Sequence, residues 1–107
     1  MQKQMPFRNC FARTFKAAAI RREAPPSSGV YGLSNARGWI YVGETDDIQA
    51  RLLAHLEEPN PFAAHGAPTG FSFELSSPGQ RIARQRQIIV EFDPPGNGDS
   101  RSMRKAF

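Results

Sequence analysis

The chain has 107 residues, 39% of them apolar, with one cysteine and a formal charge of +4. At 11.9 kDa and a mean hydropathy of -0.51 there is room for one small domain around a single core, and no apolar run is long enough to cross a bilayer. The lone Cys10 excludes an internal disulfide and a multi-cysteine zinc site, and fits a reducing cytoplasm.

The first 22 residues contain no acid. Phe7, Phe11 and Phe15 recur at i, i+4 spacing, with Arg8, Arg13 and Lys16 off that stripe and Pro6 suited to a first turn. The spacing predicts a helix that packs its phenylalanines on the domain. A basic arm laid against DNA is the second reading, and an arginine-rich transit peptide the third. Pro25-Pro26-Ser27-Ser28 ends any such helix, so residues 1–28 are expected to be a basic extension and linker.

Residues 29–34 and 38–44 read as the two strands of a hairpin joined by Asn35-Ala36-Arg37. Thr45 or Asp46 offers a cap, and Asp47 favours the positive end of a helix running to about Glu57. Ile48, Leu52 and Leu56 form its inward stripe, with Arg51 and His55 together on a neighbouring face. Residues 58–69 read as a loop and Phe71 to Leu75 as a half-buried strand. Ser77, Pro78 and Gln80 form a capping-box start for a second helix. On it Ile82, Gln85, Ile89 and Phe92 share one stripe facing the sheet. Pro94-Pro95 stops this region, and residues 98–107 read as a basic flexible tail. The order β-β-α-β-α predicts an α+β domain over 29–97: a three-stranded antiparallel sheet flanked by helices.

Charge is uneven along the chain. Residues 1–24 hold six Lys/Arg and one acid, residues 81–107 six and three, and residues 25–80 two against six. Basic ends around an acidic middle suit a nucleic-acid backbone gripped from the flanks, and equally a domain made soluble by its ends.

Both tyrosines of the chain stand beside a glycine, in Gly29-Val30-Tyr31 and Tyr41-Val42-Gly43. Arg51 follows the second tyrosine by ten residues, His55 comes one helical turn later, and Ile88-Ile89, Pro94 and Asn97 complete the spacing. Taken jointly, this pattern closely resembles the GIY-YIG nuclease domain. The resemblance covers about residues 29–97 and implies hydrolysis of a phosphodiester, DNA first among substrates, with one divalent ion, Mg2+ or Mn2+. It implies that Tyr31 sits against the attacking water as base or orienter. Tyr41 would contact the scissile phosphate or support that relay, and His55 would hold or relay a proton. Arg51 would grip the phosphate with its fork of donors. Gly29, Gly43 and Asn97 would support the site.

One element departs from the family. Where it places a metal-binding glutamate, this chain has Gln85. An amide offers a hard cation only a carbonyl dipole, so metal binding and cutting are expected to be weak or absent. Glu91 lies roughly 120° around the helix from Gln85 and faces elsewhere. Three accounts stay open: a weakened or inactive natural member, a glutamine introduced to trap a complex, and a ligand supplied instead by Glu44 or Asp47. The competing function is a non-catalytic nucleic-acid-binding module on the same fold. The sequence does not set the oligomeric state or the choice between DNA and RNA.

Overall fold

The computed structural model describes residues 12–57 and 66–97. In chain order its elements are β1 (Arg13–Thr14), α1 (Ala17–Glu23), β2 (Gly29–Asn35), β3 (Gly38–Thr45), α2 (Ile48–Glu57), β4 (Gly70–Leu75) and α3 (Arg81–Phe92), closed by a short 3-10 helix, Pro95–Asn97. The strands form one antiparallel sheet in the order β1-β4-β2-β3. The architecture is the expected α+β one, with four strands instead of three.

The fourth strand comes from the segment read as an extension. Arg13 and Thr14 pair with Phe71 and Gly70 of β4, so Phe15 follows a strand and is not part of a helix. Phe7 and Phe11 lie outside the described residues, as do residues 58–65 of the loop and the tail 98–107. The helix that does form, α1, begins two residues after Phe15 and buries Ala19 and Ile20. The Pro-Ser stretch is also built in. Pro25 and Ser27 carbonyls accept from the Gln49 and Ile48 N–H groups at the start of α2, and the Ser28 carbonyl accepts from Ser76 N–H. The Ile48 and Gln49 N–H groups are helix-start donors with no partner inside their own helix, which is why a proline-rich segment can dock there.

The sheet has two covered faces. Tyr31, Leu33, Ile40 and Phe71 pack with Ala19, Ile20, Ile48 and Leu52 from α1 and α2. Val30 and Val42 pack with Ile88 and Ile89 of α3 on the other side. Central β2 is buried along nearly its whole length, as a strand covered on both faces must be. Ion pairs fasten α3 to its face: Arg81 Nε to Glu44 Oε1 at 2.6 Å, and Arg84 to both carboxylate oxygens of Glu74 at 2.9 and 3.0 Å. Two positions assigned inward by spacing lie elsewhere. Leu56 is 38% and Ile82 51% exposed, because each sits near a helix end that has run past the sheet; Ile88 takes the place expected of Ile82.

The helix starts also differ in detail. Asp47 is the cap of α2, its Oδ1 accepting from Ala50 N–H at 2.9 Å, while Thr45 Oγ1 accepts from Asp47 N–H. Residues 78–80 form a turn, and α3 begins at Arg81 without a side-chain cap; Ser77 contributes its carbonyl to Gln80 and Arg81 N–H instead.

Candidate functional site

Tyr31 is the innermost of the candidate residues, 1% exposed in the middle of β2. It can be there because Gly43 stands opposite it on β3. A Cβ at position 43 would lie 2.5 Å from the Tyr31 hydroxyl and 2.6 Å from Cζ, so the glycine leaves the space that the phenol fills. Gly29 is needed for a similar reason, since a Cβ there would run into the Glu74 carbonyl oxygen and Ile48.

A bulge re-aims Ile40. Leu33 pairs with Tyr41 but Ser34 pairs with Trp39, which leaves Ile40 as an extra residue in β3. Ile40 and Tyr41 consequently both pack on the α1/α2 side, where strict alternation would have separated them. His55 comes up from α2 to the same place. Its Nε2 is 2.8 Å from the Tyr31 hydroxyl. Ring centroids are 5.5 Å apart for Tyr31–His55, 5.6 Å for Tyr41–His55 and 6.2 Å for Tyr31–Tyr41. The three aromatic side chains thus form a triangle beside Gly43.

Burial pushes the Tyr31 phenol well above its ordinary pKa, with Tyr41 adding to the rise. The Arg51 guanidinium, which hydrogen-bonds the phenol, pulls the other way and is outweighed. Tyr31 therefore keeps its proton near neutral pH. With the ring proton of His55 on Nδ1, the phenol donates to Nε2; with it on Nε2, the ring donates to the phenol. Arg51 is exposed and borders a cavity of about 300 Å³ with Thr45, Asp46, Asp47, Ala50 and Ala54.

Asn97 and Gln85 act at the sheet edge. Asn97 Oδ1 accepts from Val42 N–H at 2.8 Å, and its Nδ2 donates to the Val42 carbonyl at 2.8 Å. Gln85 Nε2 lies 3.4 Å from that same carbonyl. The spacing placed Gln85 facing the sheet, and it does so from the α3 side, opposite the face holding Tyr31 and His55. It meets the tyrosine-bearing strand around the edge of β3 and not across a common face.

The carboxylates have other partners. Glu44 holds Arg81, Glu74 holds Arg84, and Glu23 pairs with Arg13 and Arg22. Asp47 caps α2. Among the described residues no three His, Cys, Asp or Glu side chains gather where they could share a metal ion. No local signal marks the Arg81 and Arg84 pairs, because they join acids of the middle segment to bases some ten to forty residues away.

No protein-family model matches the chain, and neither does any curated protein sequence. Solved structures do match, among them the GIY-YIG N-terminal endonuclease domain of UvrC from Thermotoga maritima. A tyrosine-to-phenylalanine mutant of it, bound to the catalytic divalent cation, is 20% identical, with a TM-score of 0.63 over 75% of this chain and 96% of that one. A second such mutant is 21% identical, with a TM-score of 0.64 over the same shares. The magnesium-bound form is 21% identical, with a TM-score of 0.59 over 70% and 91%. At this identity the likeness is one of fold, and the fold of this chain is GIY-YIG-like. The donors around the present site do not fit such a cation. The position expected to supply a carboxylate holds a neutral amide whose N–H group faces the Val42 carbonyl, and an amide offers a hard divalent ion a carbonyl dipole in place of a carboxylate's charge.

Proposed function

We propose that the chain is a nuclease-like, cytoplasmic domain that engages a phosphodiester of nucleic acid, DNA in the first instance, at Tyr31, Tyr41, His55 and Arg51. With Gln85 in place, Mg2+ or Mn2+ binds weakly or not at all, and cutting is weak or absent. The observation that carries this reading is the 2.8 Å Tyr31–His55 hydrogen bond, set against Gly43 and within reach of the Arg51 guanidinium. No helix among the described residues is long and apolar enough to cross a membrane, and the similar folds are endonuclease domains.

Each residue has a task that follows from its chemistry. Arg51 neutralises a phosphate and orients it through parallel donors. Tyr31, held in its phenol form, orients a phosphoryl oxygen or a water and does not act as a ready-made phenolate. His55 in its neutral form is the proton acceptor within reach of that phenol. Tyr41 completes the wall beside them. Asn97 holds the strand that carries Tyr41 and Gly43.

A second reading, a binding module without catalysis, is favoured by one observation: the two acids weighed as replacement ligands are already engaged, Glu44 by Arg81 and Asp47 by α2. Both readings are tested by the affinity for a fluorescent DNA duplex and by cleavage with and without Mg2+ or Mn2+. Arg51→Ala should weaken binding about tenfold, the loss of roughly 1.4 kcal/mol expected for one charge-assisted contact. Equal binding by parent and variant would remove phosphate recognition from this site. Fast metal-stimulated cutting by the parent would overturn the weak-cutting part.

A further inference from the structure

We infer that Gln85 is a fastener of the edge strand and a positioning residue for the tyrosine cluster, so the site is organised to work without a divalent cation. The inference rests on the placement of the cluster proposed above. Strand β3 is the outer strand of the sheet, and an outer strand turns alternate backbone groups away from its neighbour. Val42 is such a residue: its N–H and carbonyl are met from outside by Asn97. Gln85 approaches the same carbonyl at 3.4 Å. A carbonyl oxygen has two lone pairs and can accept from both amides.

The chemistry selects the residue type. Only the amide nitrogen of Gln85 can usefully face a carbonyl oxygen, since the reverse orientation would set two acceptors against each other. A glutamate carboxylate at this position would meet the same conflict, with a charge added. Val42 lies between Tyr41 and Gly43, the one in the aromatic triangle and the other under Tyr31. Fastening Val42 therefore holds both residues in register. Seen this way, glutamine at position 85 supplies a donor that a glutamate lacks, and it is not merely a ligand that has lost its charge.

The test reads stability and not activity. Parent, Gln85→Glu and Gln85→Leu are melted across a pH series in chelator and again with millimolar Mg2+ or Mn2+. A glutamate facing a carbonyl has a folded pKa above its unfolded value of about 4.3, so its share of stability is whole below that value and lost as pH rises through the folded one. At about pH 7 the glutamate variant should melt some 4–8 °C below the parent, and the gap should close below about pH 4, where the acid can donate again. Gln85→Leu should show a deficit that does not change with pH. The charged groups around position 85, namely Arg81, Arg84 and Arg86 on α3, Glu44 on β3 and Glu74 on β4, act on the glutamate alone; Arg81 and Arg84 are already held by Glu44 and Glu74, which leaves the conflict with the Val42 carbonyl to set the sign. Metal should move the melting temperature of the parent and of Gln85→Leu by no more than about 1 °C, the response of a fold with no site for it. A glutamate variant as stable as the parent in chelator overturns the inference, and so does a parent that Mg2+ or Mn2+ stabilises. DNA binding by Arg51→Ala, read in chelator, judges the functional proposal separately.

Discussion

Tyr31 and Gly43 are ladder partners, and the glycine leaves the space that the phenol fills. Because a Cβ at position 43 would lie 2.5 Å from the Tyr31 hydroxyl, Gly43→Ala must push the ring out or the strand apart. Overpacking of this kind costs about 1–3 kcal/mol. The variant should lose that much stability in a denaturant titration and should also lose DNA binding, since the displaced phenol no longer meets His55. Tyr31 makes a second prediction. The chain has two tyrosines, and burial raises the Tyr31 pKa. Near pH 10 it should contribute no tyrosinate absorbance, so Tyr31→Phe and the parent should absorb alike there. The sign for stability follows. A folded pKa above the unfolded one contributes stability that is complete below about pH 10 and fades as pH rises through the folded value. Alkaline unfolding should accordingly be less steep in Tyr31→Phe, as measured by circular dichroism.

At the scale of elements, α2 carries Arg51 and His55, and its start is set by one side chain. Asp47 satisfies the Ala50 N–H and places a negative charge at the positive end of a ten-residue helix. Asp47→Ala should cost about 1 kcal/mol, typical of a lost N-cap, and weaken DNA binding by loosening the turn that presents Arg51; Asp47→Asn should recover most of both. Helix α3 is held differently, by Arg81–Glu44 and Arg84–Glu74 in its first half and by Ile88 and Ile89 in its second. The Arg84 and Glu74 side chains are 20% and 24% exposed, so solvent screens the pair only in part. A double-mutant cycle on it should give a coupling of about 1 kcal/mol that shrinks with added salt. A coupling near zero would leave Arg81–Glu44 and the apolar contacts of Ile88 and Ile89 to attach the helix.

Over the whole molecule, the +4 charge divides in a way that bears on nucleic-acid binding. The described residues contain nine Lys/Arg and eight acids, a net of +1, while residues 1–11, 58–65 and 98–107 contain five and two, a net of +3. Within the folded part Arg13, Arg81 and Arg84 are committed to carboxylates. Non-specific affinity should therefore depend on the ends. Removing residues 98–107, with Arg101, Arg104 and Lys105, should weaken duplex binding and flatten its salt dependence, because fewer condensed ions are released. An unchanged slope of affinity against salt would exclude the tail from the interface.

Local chemistry made much of this protein legible from the sequence alone. The hairpin is written in two apolar runs and a polar turn, the α2 start in Thr45 to Asp47, and the stop after α3 in Pro94. The grouping of Tyr31, Tyr41, Arg51 and His55 is implied by the family resemblance, while a 3.6-residue period puts Arg51 and His55 on one helix face. Tertiary structure alone decided what depends on partners far along the chain. Strand β1 exists because Arg13 and Thr14 find the free edge of β4, against the helical spacing of the phenylalanines. Ile40 joins Tyr41 on the α1/α2 face because a bulge breaks the alternation that sequence reading assumes. Arg81 and Arg84 turn inward to Glu44 and Glu74, which net charge cannot reveal. The partner of Gln85 was hidden for the same reason: a backbone carbonyl on an outer strand has no letter of its own in the sequence, and only folding brings it within reach of the amide.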